Sequence, residues 1–167
     1  MVEQVDDVPE EVAEEVEEHA RGLVHGGFST FDEVLEDVLE CFEDEGAVTP
    51  GHVRAVVERL WRERAAEQEG WPATTDVDRL LAVFEALDAD GIVARPDFTC
   101  CQTCGVAEIG DEAGEAARGY VFFHRQDTES AAAGGGLFLA YGPLADSPDH
   151  AAAAAAVGRE VVAALTA

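Results

Sequence analysis

The apolar periodicity of this chain changes once, at Asp90-Gly91, and that change most limits what it can fold into. Upstream, apolar residues recur at helical spacing. Downstream come short runs in which nearly every position is apolar. Val8, Val12, Val16 and Leu23 keep a helical repeat among mostly acidic neighbours. Thr30 with Glu33 is a capping-box signature ahead of Phe31, Val34, Leu35, Val38, Leu39 and Phe42. Gly46 marks a stop, Thr49 a new cap and Pro50 a first-turn residue, before Val53, Val56, Val57, Leu60 and Trp61. Val77, Leu80, Leu81, Phe84 and Leu87 make another stripe. Four amphipathic helices are expected over residues 1–90.

After the change, "GIVA" (91–94), "GYVFFH" (119–124) and "GLFLAYG" (136–142) read as strands. The cysteine-bearing segment between the first two predicts a short helix, because Gly105, Gly110 and Gly114 interrupt it. Ser147-Pro148 caps a last helix carrying Val157, Val161, Val162 and Leu165. The order β-α-β-β-α is that of a ferredoxin-like split βαβ unit lacking its final strand. The expected fold class is α+β, with four N-terminal helices packed on a small antiparallel ferredoxin-like sheet. The expected strand order is 1-3-2, with the first strand on an edge covered by the N-terminal helices or by a second copy. Tyr120 and Phe122 point to one face while Val121 and Phe123 point to the other, so both faces need cover. The last two helices suffice for one face. The helical part, 1–90, and the α/β part, 91–167, are therefore expected to form one integrated unit.

Charge narrows the partners. Thirty-six acids against ten bases, all arginine, leave a formal net charge of −26. Direct nucleic-acid binding is disfavoured, because affinity there comes from basic side chains displacing counterions. A solvated acidic surface, or one complementary to a basic protein, remains. No apolar run approaches the roughly 18–20 residues a membrane span needs. The first residues are acidic and lack the pattern of a secretory signal. The cytoplasm, with reduced thiols, is the expected compartment.

The predicted topology gathers one rim. It holds Cys100, Cys101 and Cys104 after the first strand, His124, Gln126, Asp127 and Glu129 after the second, and Gly134, Gly135 and Gly136 entering the third. A zinc site there would use Cys101, Cys104 and His124, with Cys100 or Asp127 as fourth ligand. A redox reading rests on Cys101 and Cys104, which follow a strand and open a helix where amides stabilise a thiolate. A third reading buries the thiols, since free cysteine is among the most buried residue types. Cys41, beside Phe42, is read as core. "HRQDTE" has acid/base residue types but no nucleophile paired with the histidine; Asp127 or Thr128 is read as a turn cap. The glycine triplet leads into a strand and lacks a GK[ST] ending, so no phosphate cradle is expected.

At "FTCCQTCG", "GYVFFHRQDTE", "GGGLFLAYG" and "VGREVVAAL" the chain resembles domain of unknown function 6891, a mainly actinobacterial family. That resemblance implies no activity, substrate or cofactor. The expectation is a cytoplasmic, non-catalytic interaction or regulatory module binding a basic partner without a cofactor, with a homodimer open. The alternative is a thiol-redox or zinc-binding protein working at the Cys100–Cys104 and His124 rim.

Overall fold

The computed structural model describes residues 8–145 and 147–167. The chain forms two compact units dividing after Trp71. The first holds α1 (Glu10–Gly26), α2 (Phe31–Cys41) and α3 (Pro50–Gln68). Thr30 caps α2 in a full capping box with Glu33, and Thr49 caps α3 with Pro50 in its first turn. Val16, Ala20, Val34, Val38, Val53, Val57 and Leu60 are fully buried between the three helices. Glu17 joins α1 to α3, lying 2.5 Å from Arg21 and 2.6 Å from Arg59. The Arg21 hydrogen bond, helped by the Arg59 charge, holds its carboxyl below the usual carboxylate range.

The second unit begins with α4 (Asp76–Ala89), capped by a Thr75–Asp78 capping box. It continues through β1 (Ile92–Arg95), α5 (Gln102–Glu108), β2 (Gly119–Phe122), α6 (Arg125–Ala132), β3 (Ala140–Pro143) and α7 (His150–Leu165). The α+β class holds. Helix α4, grouped with the helical half by its periodicity, packs here on β1 and α7.

The strand order differs from 1-3-2. The sheet runs β1-β2-β3, with β1 parallel to β2 and β2 antiparallel to β3. It is a mixed sheet, and its βαβ unit is not split. The reason lies beyond the strand ends: the Phe98 amide donates to the Phe123 carbonyl at 2.8 Å, so direct β1–β2 pairing continues into the following loop. No slot is left for a third strand between them. The outer side of β1 is also engaged, because the Ala94 amide donates to the Asp88 carboxylate at 3.1 Å and Arg95 pairs with the same carboxylate. A charged, side-chain-capped edge resists strand addition.

Side chains alternate across the sheet as the pleat requires. Ile92, Ala94, Val121 and Phe123 face α4 and α7, meeting Phe84, Leu87, Val157 and Val161. Val93 and Phe122 face the other way, against Ile109 and the half-buried Phe98 and Tyr120. Gly105 of α5 and Ile109 just after it pack on that second face. β3 is shorter than "GLFLAYG" promised. Leu137 and Leu139 still pack inward, but Phe138 is 69% exposed and only residues from Ala140 onward join the ladder. The last helix is capped by Asp149, whose carboxylate accepts from the Ala152 amide, rather than by Ser147.

Candidate functional site

Parallel β1 and β2 end on the same side of the sheet, and antiparallel β3 starts there. The loop leaving β1 turns sharply across this rim. Asp97 and Thr99 both adopt left-handed backbone, with φ of 48° and 60°. That conformation is costly for any residue with a Cβ and most so for β-branched threonine. Three hydrogen bonds hold the loop against the strain. The Thr128 hydroxyl donates to Asp97 Oδ1 at 2.6 Å, the Arg125 amide donates to the Thr99 carbonyl, and the Phe98 amide reaches Phe123. Thr128 is the one buried polar residue among those described. The Thr99 hydroxyl in turn donates to the Cys101 carbonyl at 3.2 Å.

This loop delivers the cysteines. Cys101 is the N-cap of α5, and Cys104 lies in its first turn. The Sγ atoms of Cys100, Cys101 and Cys104 all lie within 4.8 Å of one another, and the Cys100–Cys104 pair is 3.6 Å apart. Cys100 is exposed and the other two are half-buried, so none is a sealed core thiol. Gly105 fixes how closely α5 approaches the sheet. A Cβ built there would stand 2.5 Å from the buried Phe122 ring, so only glycine lets the helix sit this near β2.

Electrostatics separates the thiols. The Cys104 amide beside its sulfur, with smaller contributions from the Cys104 and Cys100 thiols, lowers the pKa of Cys101. Contact with Cys100 and then Cys101 raises that of Cys104 to about 11. Two thiolates this close repel, so the second proton is held once the first has left.

The other rim residues have structural work. His124 caps α6: its Nδ1 accepts from the Asp127 amide, and the Asp127 carboxylate accepts from the His124 amide at 3.1 Å. Neither residue joins the ligand cluster that Cys100, Cys101 and Cys104 form. Glu129 is half-buried and Gln126 exposed. Gly134, with φ of 87°, and Gly135 end α6 by donating to the Ala131 and Ser130 carbonyls, and Gly136 leads out toward β3. Cys41 is exposed at the end of α2, contrary to the core reading, because the apolar stripe of α2 runs through Val34, Leu35 and Val38. Sequence reasoning missed α6 and Asp97, and it reads as a turn cap the Thr128 that the structure buries against Asp97. The spacing His124-x-x-Asp127 is a capping pattern with histidine in the usual Ser/Thr place, and it was the available signal.

The sequence model of one family, Domain of unknown function (DUF6891), matches residues 9–167. The chain belongs to the DUF6891 family. No curated protein and no solved structure matches it. Among the described residues of this DUF6891 chain, no helix is long and apolar enough to cross a membrane. Its first unit holds a cavity of about 420 Å³ lined in part by Phe28, Phe31, Trp61 and Arg64. The Arg64 guanidinium there is already held by Glu67, the His25 carbonyl and the Trp71 ring. The thiol cluster therefore offers the better-developed chemistry.

Proposed function

We propose that this DUF6891 chain is a redox-responsive thiol protein working by thiol–disulfide exchange at Cys101 and Cys104. The observation that carries this reading is the solvent-reachable clustering of the Cys101 and Cys104 sulfurs within 4.8 Å. The step balances with a partner disulfide as oxidant. The Cys101 thiolate attacks one sulfur of that disulfide and expels the other as a thiolate. Cys104 then loses its proton to solvent and attacks Cys101 Sγ, releasing the partner's remaining thiolate. The partner gains two electrons and the chain keeps a Cys101–Cys104 disulfide. Once Cys101 is in the mixed disulfide it carries no charge, which removes one of the causes holding the Cys104 proton. Such a role belongs in a reducing compartment such as the cytoplasm, where the resting state is the dithiol.

Equilibration in glutathione redox buffers tests this. An intramolecular disulfide mapped to Cys101 and Cys104 is expected, and Cys104→Ser should accumulate the Cys101–glutathione adduct. A wild-type chain that forms only glutathione adducts, or none, at every ratio overturns it.

A second reading is favoured by the charge balance. Arg21, Arg54, Arg59, Arg64, Arg79, Arg95 and Arg118 all pair with carboxylates of the same chain. Seven of the chain's ten arginines are thus locally neutralised, and the excess of acids is free to meet a basic protein. A binding isotherm with such a partner should weaken steeply with salt. Salt-independent binding would remove this reading.

A further inference from the structure

We propose that the reduced cluster is also a metal site, in which Cys100, Cys101 and Cys104 chelate one borderline-soft divalent cation of the zinc type with its fourth position open to solvent. It uses the same thiols as the exchange reaction but stands on the third sulfur and on the loop that holds it. A tetrahedral zinc–thiolate site, with bonds of about 2.3 Å, separates its sulfurs by about 3.8 Å. The three Sγ atoms lie within 4.8 Å of one another, one pair at 3.6 Å, so they need only small side-chain adjustments to grip an ion. Cys100 matters most here. A Cys101-x-x-Cys104 pair alone gives two ligands; the backbone reversal at Asp97 and Thr99 brings in the third.

That reversal is braced from the neighbouring helix. Thr128, 8% exposed on α6, donates to Asp97, and Thr99 carries the constraint to the Cys101 carbonyl. Supporting hydrogen bonds of this kind orient ligands before the ion arrives. Among the described residues no imidazole or carboxylate joins the three sulfurs, and Cys100 is exposed, so water or an external ligand would complete the tetrahedron. Charge selects the class of ion. Three thiolates with a divalent cation leave one negative charge, whereas a monovalent cation leaves two, in a chain whose formal net charge is already −26.

The test is a titration of the full-length, reduced wild-type chain with zinc against a chromophoric chelator, paralleled by cobalt(II) as a spectroscopic probe. One ion per chain is expected, with thiolate-to-cobalt charge transfer of a strength fitting three sulfurs. Cys100→Ser should weaken zinc at least about tenfold, Thr128→Val by about tenfold, and Thr128→Ser by little. Apo-protein melting of each variant separates a lost ligand or brace from a lost fold. Zinc binding far below one equivalent, a cobalt spectrum of two sulfurs, or unchanged affinity in Cys100→Ser overturns the site. Because the disulfide is mapped without metal, the two claims fail separately. A chain that forms the disulfide but binds no zinc loses this site alone, and one that binds zinc but forms no disulfide loses the exchange role alone.

Discussion

Cys101 and Cys104 carry the same side chain three residues apart, yet their pKa values are displaced in opposite directions. The thiolate is the reactive form, so each thiol gains reactivity as pH rises through its own pKa. In a pH series with a small alkylating agent, Cys101 should reach half its limiting rate below the ordinary thiol value of 9.0, and Cys104 only near 11. Site-resolved mass spectrometry reads both. Coincident midpoints would show that the sulfurs do not meet in solution. Gly105 makes a second prediction at this scale. Gly105→Ala drives a methyl group into the fully buried Phe122 ring, and should cost about 1–3 kcal/mol in urea denaturation, the usual penalty of overpacking. A neutral substitution would mean that α5 slides easily over β2.

Helix α6 is short and carries little apolar surface, so its cap should matter more than in a long amphipathic helix. His124→Ala removes the ring nitrogen that accepts from the Asp127 amide and should cost about 1 kcal/mol, while His124→Asp should retain most of the stability. Denaturant midpoints decide between them. The same element shows where legibility in the sequence stops. The capping box of α2, the Thr49 cap of α3 and the apolar stripes of both could be read directly, because their determinants lie within a few residues of one another. The facing of Tyr120 against Val121 was legible for the same reason. Strand order was not, since it depends on Phe98 pairing with Phe123 across 25 positions of chain. The thiol cluster was half legible. Three cysteines in five positions were plain, but their convergence requires left-handed backbone at Asp97, which aspartate only occasionally adopts, and at β-branched Thr99, which gives no sign of it. His124 reads as a candidate ligand because Asp127, its partner in the cap, reads equally well as a turn residue.

At the scale of the whole molecule, the formal charge of −26 dominates. Repulsion among the excess carboxylates opposes compaction, and salt screens it over a Debye length of about 10 Å at about 0.1 M. Raising sodium chloride from about 0.02 M to about 0.2 M should therefore raise the melting temperature. A melting point that ignores salt would show the acids to be dispersed enough not to interact. The two units add a further expectation, because Val16, Val34 and Leu60 belong to one core and Phe123, Val157 and Phe122 to others. Calorimetry should resolve unfolding that is broader than a single two-state transition allows.

That division has a practical consequence for any assay of the cysteines. Helices α1, α2 and α3, of 17, 11 and 19 residues, would keep their ellipticity after the sheet had melted. The far-ultraviolet circular dichroism of such a half-molten chain would lose the share of α4, α5, α6 and α7 yet still look helical while the sulfurs had already dispersed. Loss of the thiol chemistry on heating should thus precede loss of the helical signal if the second unit melts first. Trp61 and Trp71 both belong to the first unit, so their fluorescence reports first on that unit. Protection of Cys104 from alkylation is the reporter that follows the right part of the protein.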